Sequence, residues 1–202
     1  MREQVRDNLL TLREDALIWE RAFTVNPLVV VGTREPDGGF DLAPKHMAFP
    51  LGWGNFFGFV CTPRHRTYHN VRREGVFTVT YPRPTQVVLA SLAATPREDG
   101  GRKPSLAALN TFPASGVDGV FLEDGYLFLE CALDRIVDDF GDNSLISGRI
   151  LTAHVDHDYL RDAETDDHDL IHAPPLLAYL SPGRYAPVSE SYSFPFPAGF
   201  MR

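Results

Sequence analysis

The stretch from Gly54 to Pro82 reads GNFFGFVCTPRHRTYHNVRREGVFTVTYP, and the fold prediction depends on the order of elements within it. An aromatic run that ends at Cys61 and a second run from Val76 to Tyr81 contain the β-branched and aromatic residues that strands favour. Pro63 ends the first strand because proline cannot donate to a strand ladder. A short helix is predicted from about Thr67 to Glu74. The stretch therefore predicts a strand, a turn, a helix and a second strand.

The same signals recur along the chain. The runs PLVVVGTR and GFDLAP, separated by Pro36-Asp37-Gly38-Gly39, predict a β-hairpin. Further strands are predicted at Asn55–Cys61, Gly75–Pro82, Gly119–Asp124, Tyr126–Phe140 and Ser147–His157. Only two helices, Thr67–Glu74 and Thr85–Ala94, lie between them. Because a doubly wound sheet needs a crossover helix for each strand, the sequence predicts a mainly β, antiparallel barrel with flanking helices.

The ends and one loop have patterns of their own. Leu9, Leu12, Ala16 and Trp19 follow near-helical spacing, which predicts an amphipathic N-terminal helix within residues 1–24. The polar segment from Thr95 to Leu109 is rich in Gly and Pro and predicts a mobile loop, of a kind that often covers a site. Residues 189–202 form an aromatic C-terminal tail that would leave an apolar patch on a monomer.

Composition limits the class of protein. A chain of 202 residues that is 44% hydrophobic predicts one buried core and a single domain over residues 1–202. Its net charge of −8 excludes general attraction to nucleic acid or anionic membranes. The charged amino terminus lacks the apolar core of a signal peptide, and no run approaches the roughly 18 apolar residues of a membrane span. We therefore expect a cytoplasmic protein.

Two residue classes give little sign of structural cross-links or metal sites. Cys61 and Cys131 lie far apart without CxxC spacing, so both are expected to be reduced and buried. The pairs His65/His69, His168/His172 and His154/His157 could ligate a metal, but none lies in an HExxH motif. Surface or hydrogen-bonding histidines are the preferred interpretation, and no metal site is predicted. The acidic run from Arg161 to Asp169 predicts a solvated loop.

The segment from Thr62 to Glu74 concentrates four arginines and two histidines in an acidic chain. Free N–H groups at a helix start favour an anion. Thr67 adds a hydroxyl donor, and the guanidinium of Arg64 or Arg66 suits phosphate. On these residues alone, a phosphate site and an ordinary solvated helix are equally well supported.

The order of five pieces favours the phosphate site. PLVVVGTREPDGGFDLAPKHMAF precedes the stretch from Gly54 to Pro82, and YLFLECALDRIVD, LISGRILTAHVD and LLAYLSPGRYAPV follow it. This arrangement, from Pro27 to Val188, resembles the flavin reductase-like family of FMN-binding split barrels, which includes flavoredoxins. The resemblance implies a Greek-key antiparallel barrel, FMN as cofactor, NADH or NADPH as electron donor and a homodimer.

The resemblance also implies site residues. The segment containing Lys45, His46, Met47 and Ala48 would run along the isoalloxazine ring. The phosphate would lie above Cys61 and Thr62 and contact Arg64, His65 and Thr67. His154 would face the ring or the substrate, although an outward or dimer-buried His154 is an equal alternative.

Three departures from the family pattern bear on these assignments. Arg66 replaces a common acid, which alters the local charge geometry and raises anion affinity. Thr80 stands where many members of the family have Asn, so a contact that is usually made from this strand is expected to be missing. His46 and Met47 replace small residues, which could narrow the pocket.

The predicted chemistry requires no catalytic side chain, because the cofactors carry hydride transfer. No GxGxxG follows a strand, so a nicotinamide would dock without a Rossmann domain. No GxSxG elbow supports serine hydrolysis.

The leading prediction is an FMN-dependent oxidoreductase that moves a hydride from NAD(P)H to flavin and on to a small acceptor. A non-catalytic FMN-binding or electron-carrier protein, and a barrel that binds another anionic cofactor such as haem or a deazaflavin, remain alternatives.

Overall fold

The computed structural model describes residues 8–99, 101 and 103–200. Three short 3-10 helices lie at Pro84–Gln86, Pro104–Ala108 and His157–Tyr159. In chain order the other elements are α1 (Ile18–Arg21), β1 (Thr24–Pro27), β2 (Val29–Arg34), β3 (Phe40–Lys45), β4 (Ala48–Pro50), β5 (Phe56–Cys61), α2 (Arg66–Glu74), β6 (Val76–Tyr81), α3 (Val87–Leu92), β7 (Thr111–Pro113), β8 (Val120–Leu122), β9 (Leu127–Phe140), β10 (Asn143–Val155), α4 (Asp167–His172), β11 (Leu176–Ser181) and β12 (Arg184–Val188).

The main sheet has seven strands in the order β3-β2-β6-β9-β10-β5-β4, and every neighbouring pair is antiparallel. Strands β3 and β4 lie at opposite ends of this order, yet only His46 and Met47 separate them along the chain. This link joins the two ends and curls the sheet on itself. The predicted mainly β, antiparallel barrel is confirmed.

Strand β2 shows how the two faces of the sheet are covered. Val29 and Val31 pack in the core inside the barrel with Phe57, Phe59 and other buried side chains. Val30, between them, packs on the outer face with residues of α3, β8 and β11. Successive side chains of a strand point to opposite faces, so a continuous valine run is buried on both sides. The outer core fixes α3 against the barrel, and the loop that follows α3 borders the site.

The predicted strands and the two predicted helices are confirmed with small shifts at their ends. The hairpin pairs Val31 with Ala43. Both cysteines are free and buried.

A second sheet was not predicted: β1 pairs with β11, and β11 with β12, which joins the start of the domain to its end. No helix within the described residues is long and apolar enough to span a bilayer.

Two predictions about segments are wrong. Helix in the described part of residues 1–24 is confined to Ile18–Arg21, and residues 1–7 lie outside the described residues. Leu9 and Trp19 are largely exposed, and a short helix is marginal without packing on its apolar face. The second error concerns the acidic run, because helix α4 begins within it. The Asp166 side chain caps α4 by accepting from the backbone N–H of His168, at 2.8 Å.

Candidate functional site

A cavity of about 620 Å³ opens beside the turn between β5 and α2. The turn is held by two hydrogen bonds: the backbone N–H of His65 donates to the carbonyl of Thr62 at 3.0 Å, and that of Arg64 donates to the Thr62 hydroxyl at 3.4 Å. Helix α2 then begins at Arg66, with His65 as its N-cap residue. Arg66 and Thr67 both line the cavity, so it lies at the helix N-terminus, where backbone N–H groups favour an anion.

The cavity is strongly basic. Among the described residues, six cationic side chains line it against one carboxylate, that of Asp41; they are Lys45, Arg64, Arg66, Arg73, Arg97 and Lys103. Four of the six already have carboxylate partners, in the pairs Arg64–Asp142, Arg73–Glu74, Arg97–Glu35 and Lys103–Asp41. Within the described part of the chain, Lys45 and Arg66 form no ion pair. The cavity therefore has two positive charges without a counter-charge.

Lys45 is the more unusual of these two cations. It is the last residue of β3 and is only 8% exposed. A largely buried side chain with a positive charge but no carboxylate partner among the described residues is unfavourable, so a bound anion would stabilise Lys45 here. Burial lowers the pKa of His65, and the positive charge of Lys45 lowers it further. A neutral His65 adds no charge of its own and has a ring nitrogen available for a hydrogen bond.

Thr67 and Asn70 fix α2 to the barrel. Thr67 is almost fully buried in the first turn of the helix. Asn70, also buried, donates to the Thr33 hydroxyl at 3.1 Å and accepts from Arg73 at 3.0 Å. Gly75 ends the helix in the left-handed region at φ +68°, which glycine adopts without strain. These contacts hold the basic turn in a fixed position relative to β2 and β3.

The loop after α3 forms the other side of the cavity. Lys103 Nζ donates to the Leu42 carbonyl at 2.8 Å and lies 3.2 Å from Asp41 Oδ1. Arg97 pairs with Glu35 and lies 3.0 Å from Asp41. Burial lowers the pKa of Lys103, although Asp41 opposes this shift. The segment from Thr95 to Leu109 is thus docked on β3 by the buried side chain of Lys103 and the half-buried side chain of Arg97.

A second cavity, of about 630 Å³, adjoins the first. Pro44 and Ala94 line both cavities. Most of its other lining is apolar, and the rings of His46 and Tyr179 stack there with centroids 4.5 Å apart and planes at 29°. Burial lowers the pKa of His46, and the nearby charge of Lys45 lowers it further. A basic cavity and a largely apolar cavity therefore meet beside the end of β3.

The structure brings some of the predicted site residues together. Lys45, Arg64, His65 and Thr67 line the basic cavity, and His46 lines the apolar one. The other members of the predicted cofactor set lie outside both cavities: Met47 is partly exposed, Ala48 and Cys61 are buried in the barrel core, and Thr62 faces the turn.

Arg97 and Lys103 also line the basic cavity, and neither is among the residues predicted from the sequence. The loop that contains them is predicted to be of a kind that often covers a site. Its basic residues were the signal in the sequence that could have identified them as part of an anion site. Thr80, which departs from the family pattern, has a structural contact: its hydroxyl accepts from the backbone N–H of Leu122 at 3.1 Å. It thereby holds β8 on the barrel.

His154 lines neither cavity and instead has a buried partner. Its Nε2 lies 3.1 Å from Glu130 Oε1. Glu130 is fully buried and also accepts from the Ser115 hydroxyl and from the backbone N–H groups of Ser115 and Gly116. Burial raises the pKa of Glu130, but the hydrogen bonds outweigh this effect and lower the pKa to about 2. The contact with Glu130 supports a structural role for His154, and its contact with substrate or with a partner subunit stays a prediction.

The residues that line the two cavities suit an anionic organic ligand. Across residues 8–99, 101 and 103–200, no three His, Cys, Asp or Glu side chains are arranged to hold a metal. Positive charge, a helix N-terminus and an adjoining apolar cavity suit a ligand with a phosphate and a ring.

Comparisons with known proteins agree on the fold. Nitrilotriacetate monooxygenase component B from Bacillus cereus superposes with a TM-score of 0.79 at 16% identity, covering 94% of this chain and all of the other. An FMN-binding protein from Thermus thermophilus gives 0.72 at 18% identity, covering 94% and 99%. A Shewanella frigidimarina protein assigned as a flavin reductase with a split barrel domain gives 0.74 at 17% identity, covering 86% and 87%.

At these identities the structural matches establish the split-barrel fold alone. No curated protein sequence is significantly similar to the chain. Residues 21–187 match the family model of the flavin reductase like domain, which is most of the sequence. The chain therefore belongs to the flavin reductase-like family.

Proposed function

We propose that the protein is an FMN-dependent oxidoreductase that transfers a hydride from NADH or NADPH to flavin and on to a small acceptor. The observation that supports the phosphate site is the pair of uncompensated cations, Lys45 and Arg66, at the N-terminus of α2. A phosphate monoester carries a charge of about −1.5 to −2 at pH 7. The surplus charge of the cavity is therefore suited to one such group.

The chain's own residues fit FMN in the following way. Lys45, Arg66 and the Thr67 hydroxyl would hold the phosphate together with the first N–H groups of α2. Ala43 and Pro44 line the same cavity and would border the isoalloxazine ring. The docked loop with Arg97 and Lys103 would exclude water from one side. Bound FMN would supply the hydride-accepting chemistry.

The fit also changes the expected contribution of Arg64. Its guanidinium is paired with Asp142 in the turn between β9 and β10, and both side chains are exposed. Binding a phosphate through Arg64 would require this pair to break. We therefore assign the main electrostatic contribution to Lys45 and Arg66.

The family membership supports a flavin-related activity, and one similar structure is itself an FMN-binding protein. The exposed aromatic residues of the tail, among them Tyr192 and Phe194, suit a homodimer in which they are covered. The alternative is an FMN-binding or electron-carrier protein without activity of its own. It shares the same cavity, so kinetics must separate the two.

The first experiment is the absorption spectrum of the purified protein after addition of FMN and removal of free flavin. The second is steady-state oxidation of NADH and of NADPH with added FMN. A protein-dependent rate above the flavin-only blank is expected with at least one donor. Retained flavin with no such rate would favour the carrier, and the absence of retained flavin would overturn FMN binding.

A further inference from the structure

The apolar cavity has the properties of a second ligand site. It has a volume of about 630 Å³, within the range of small-molecule pockets. Val87, Val88 and Ala90 of α3 supply aliphatic surface, and the rings of His46, Tyr179 and Tyr185 supply aromatic surface. Surfaces of both kinds bury flat rings well.

The turn between β11 and β12 fixes one part of this lining. The backbone N–H of Gly183 donates to the Tyr179 hydroxyl at 3.0 Å. Gly183 lies in the left-handed region at φ +75°, a conformation that favours glycine. Arg184 follows directly and lines the same cavity. One turn thus holds the Tyr179 ring beside His46 and places the exposed Arg184 at the edge of the cavity.

The charge of the cavity points to a monoanion. Of the described residues that line it, Arg184 alone is a permanent cation, and none is a carboxylate. Arg184 forms no ion pair with any part of the chain that the structure describes. His46 is held neutral at pH 7, because burial and Lys45 both lower its pKa. The cavity therefore presents aromatic and aliphatic surface with one positive charge.

We propose that this cavity binds planar aromatic monocarboxylates, with the carboxylate on Arg184 and the ring against His46, Tyr179 and Tyr185. A guanidinium and a carboxylate form paired, charge-assisted hydrogen bonds. The proposal goes beyond FMN binding, because it assigns a second ligand to a separate cavity. The two cavities meet at Pro44 and Ala94, so such an acid would lie next to the proposed flavin.

The test is calorimetric titration of the FMN-saturated protein with 2-naphthoate. Saturable binding is expected, and neutral 2-naphthamide and non-aromatic cyclohexanecarboxylate should each bind about tenfold more weakly or worse. Arg184→Gln should weaken 2-naphthoate about tenfold and leave 2-naphthamide unchanged. Arg184→Lys should keep part of the affinity. Arg135→Gln, at an exposed arginine that lines neither cavity, is the matched control.

Several results would overturn the proposal. These are equal affinity for the acid and the amide, unchanged binding by Arg184→Gln, and release of FMN as 2-naphthoate binds. Release would place the acid in the flavin cavity, and a spectrum recorded during the titration detects it. If the protein binds no FMN, the titration on flavin-free protein still tests this cavity. Failure of FMN binding and failure of the acid site are therefore distinguishable.

Discussion

Lys103 and Asp41 form a buried ion pair that closes one side of the basic cavity. Their charged atoms lie 3.2 Å apart, and the side chains are only 7% and 4% exposed. Lys103 also donates to the Leu42 carbonyl, so its ammonium lies in a set of acceptors on β3. The pair ties the segment from Thr95 to Leu109 to the barrel across 62 residues of sequence.

The first prediction is that Asp41→Asn lowers the free energy of unfolding by about 3 kcal/mol, because it leaves the Lys103 ammonium buried without its counter-charge. Urea unfolding followed by circular dichroism measures the change. Asp41→Asn combined with Lys103→Met should recover part of the loss, since it removes the unpaired charge. Asp167→Asn, which breaks the exposed pair with Arg161, should leave stability nearly unchanged. A double variant less stable than the single one would contradict this account.

The second prediction concerns the phosphate site. Lys45→Gln and Arg66→Gln should each weaken FMN by about tenfold or more, since a hydrogen bond to a charged group contributes roughly 1.5–3 kcal/mol. Riboflavin, which lacks the phosphate, should bind both variants and the unchanged protein alike. Quenching of flavin fluorescence gives the two affinities.

The controls for this prediction lie on the same turn and helix. Arg72→Gln changes an arginine of α2 that lines neither cavity, and it should leave FMN binding unchanged. Arg64→Ala should have a smaller effect than Lys45→Gln, because Arg64 is paired with Asp142. Equal losses for FMN and riboflavin would mean that the phosphate lies elsewhere.

Local patterns explain which parts of the fold were predictable. Strand β2 and its hairpin partner β3 follow from a valine run and a Pro-Asp-Gly-Gly turn, which are signals within a few residues. Helix α1 was predicted too long because spacing shows an apolar face but not whether anything packs on it. The pairing of β1 with β11 joins distant segments and has no local signal.

The residues of the candidate site also fall into two groups, those that a local motif predicts and those that only a tertiary contact reveals. Thr67 and Lys45 were selected because they lie on recognisable motifs beside the turn. Arg97 and Lys103 lie in a polar loop, where a basic residue is usually solvated. Only the tertiary contact with Asp41 makes them part of the cavity. Arg66, noted as a departure from the family pattern, proves to be one of the two unpaired cations.

The third prediction tests the packing of β8 on the barrel. A Cβ at Gly32 would lie 2.3 Å from the Thr78 hydroxyl oxygen and 2.4 Å from the Val120 carbonyl oxygen. The second neighbour is backbone and cannot rotate away. Gly32→Ala should therefore destabilise the protein by roughly 1–3 kcal/mol in urea unfolding. At Gly54 the nearest atom would be 3.5 Å away, so Gly54→Ala serves as the control. A Gly32→Ala variant as stable as this control would show that β8 shifts freely.

The last prediction follows from Glu130. Its pKa is lowered from 4.5 to about 2 by hydrogen bonds from Ser115, His154 and Gly116, which outweigh the opposing effect of burial. A carboxyl whose folded pKa is lowered stabilises the protein fully above its unfolded pKa. This contribution is lost as the pH falls from 4.5 towards 2. The shift corresponds to about 3 kcal/mol at pH 7.

Glu130→Gln should therefore cost about 3 kcal/mol at pH 7, because the neutral amide turns a donor towards backbone N–H groups and loses the charge-assisted bonds. The difference from the unchanged protein should shrink as the pH falls below 4.5. Urea unfolding at pH 7, 5, 4 and 3 measures this dependence. Glu190→Gln, on the exposed tail, should follow the unchanged protein throughout. A Glu130→Gln difference that stays constant from pH 7 to pH 3 would show that its cause is lost shape or packing, because the electrostatic contribution must fall as Glu130 of the unfolded chain becomes protonated below pH 4.5.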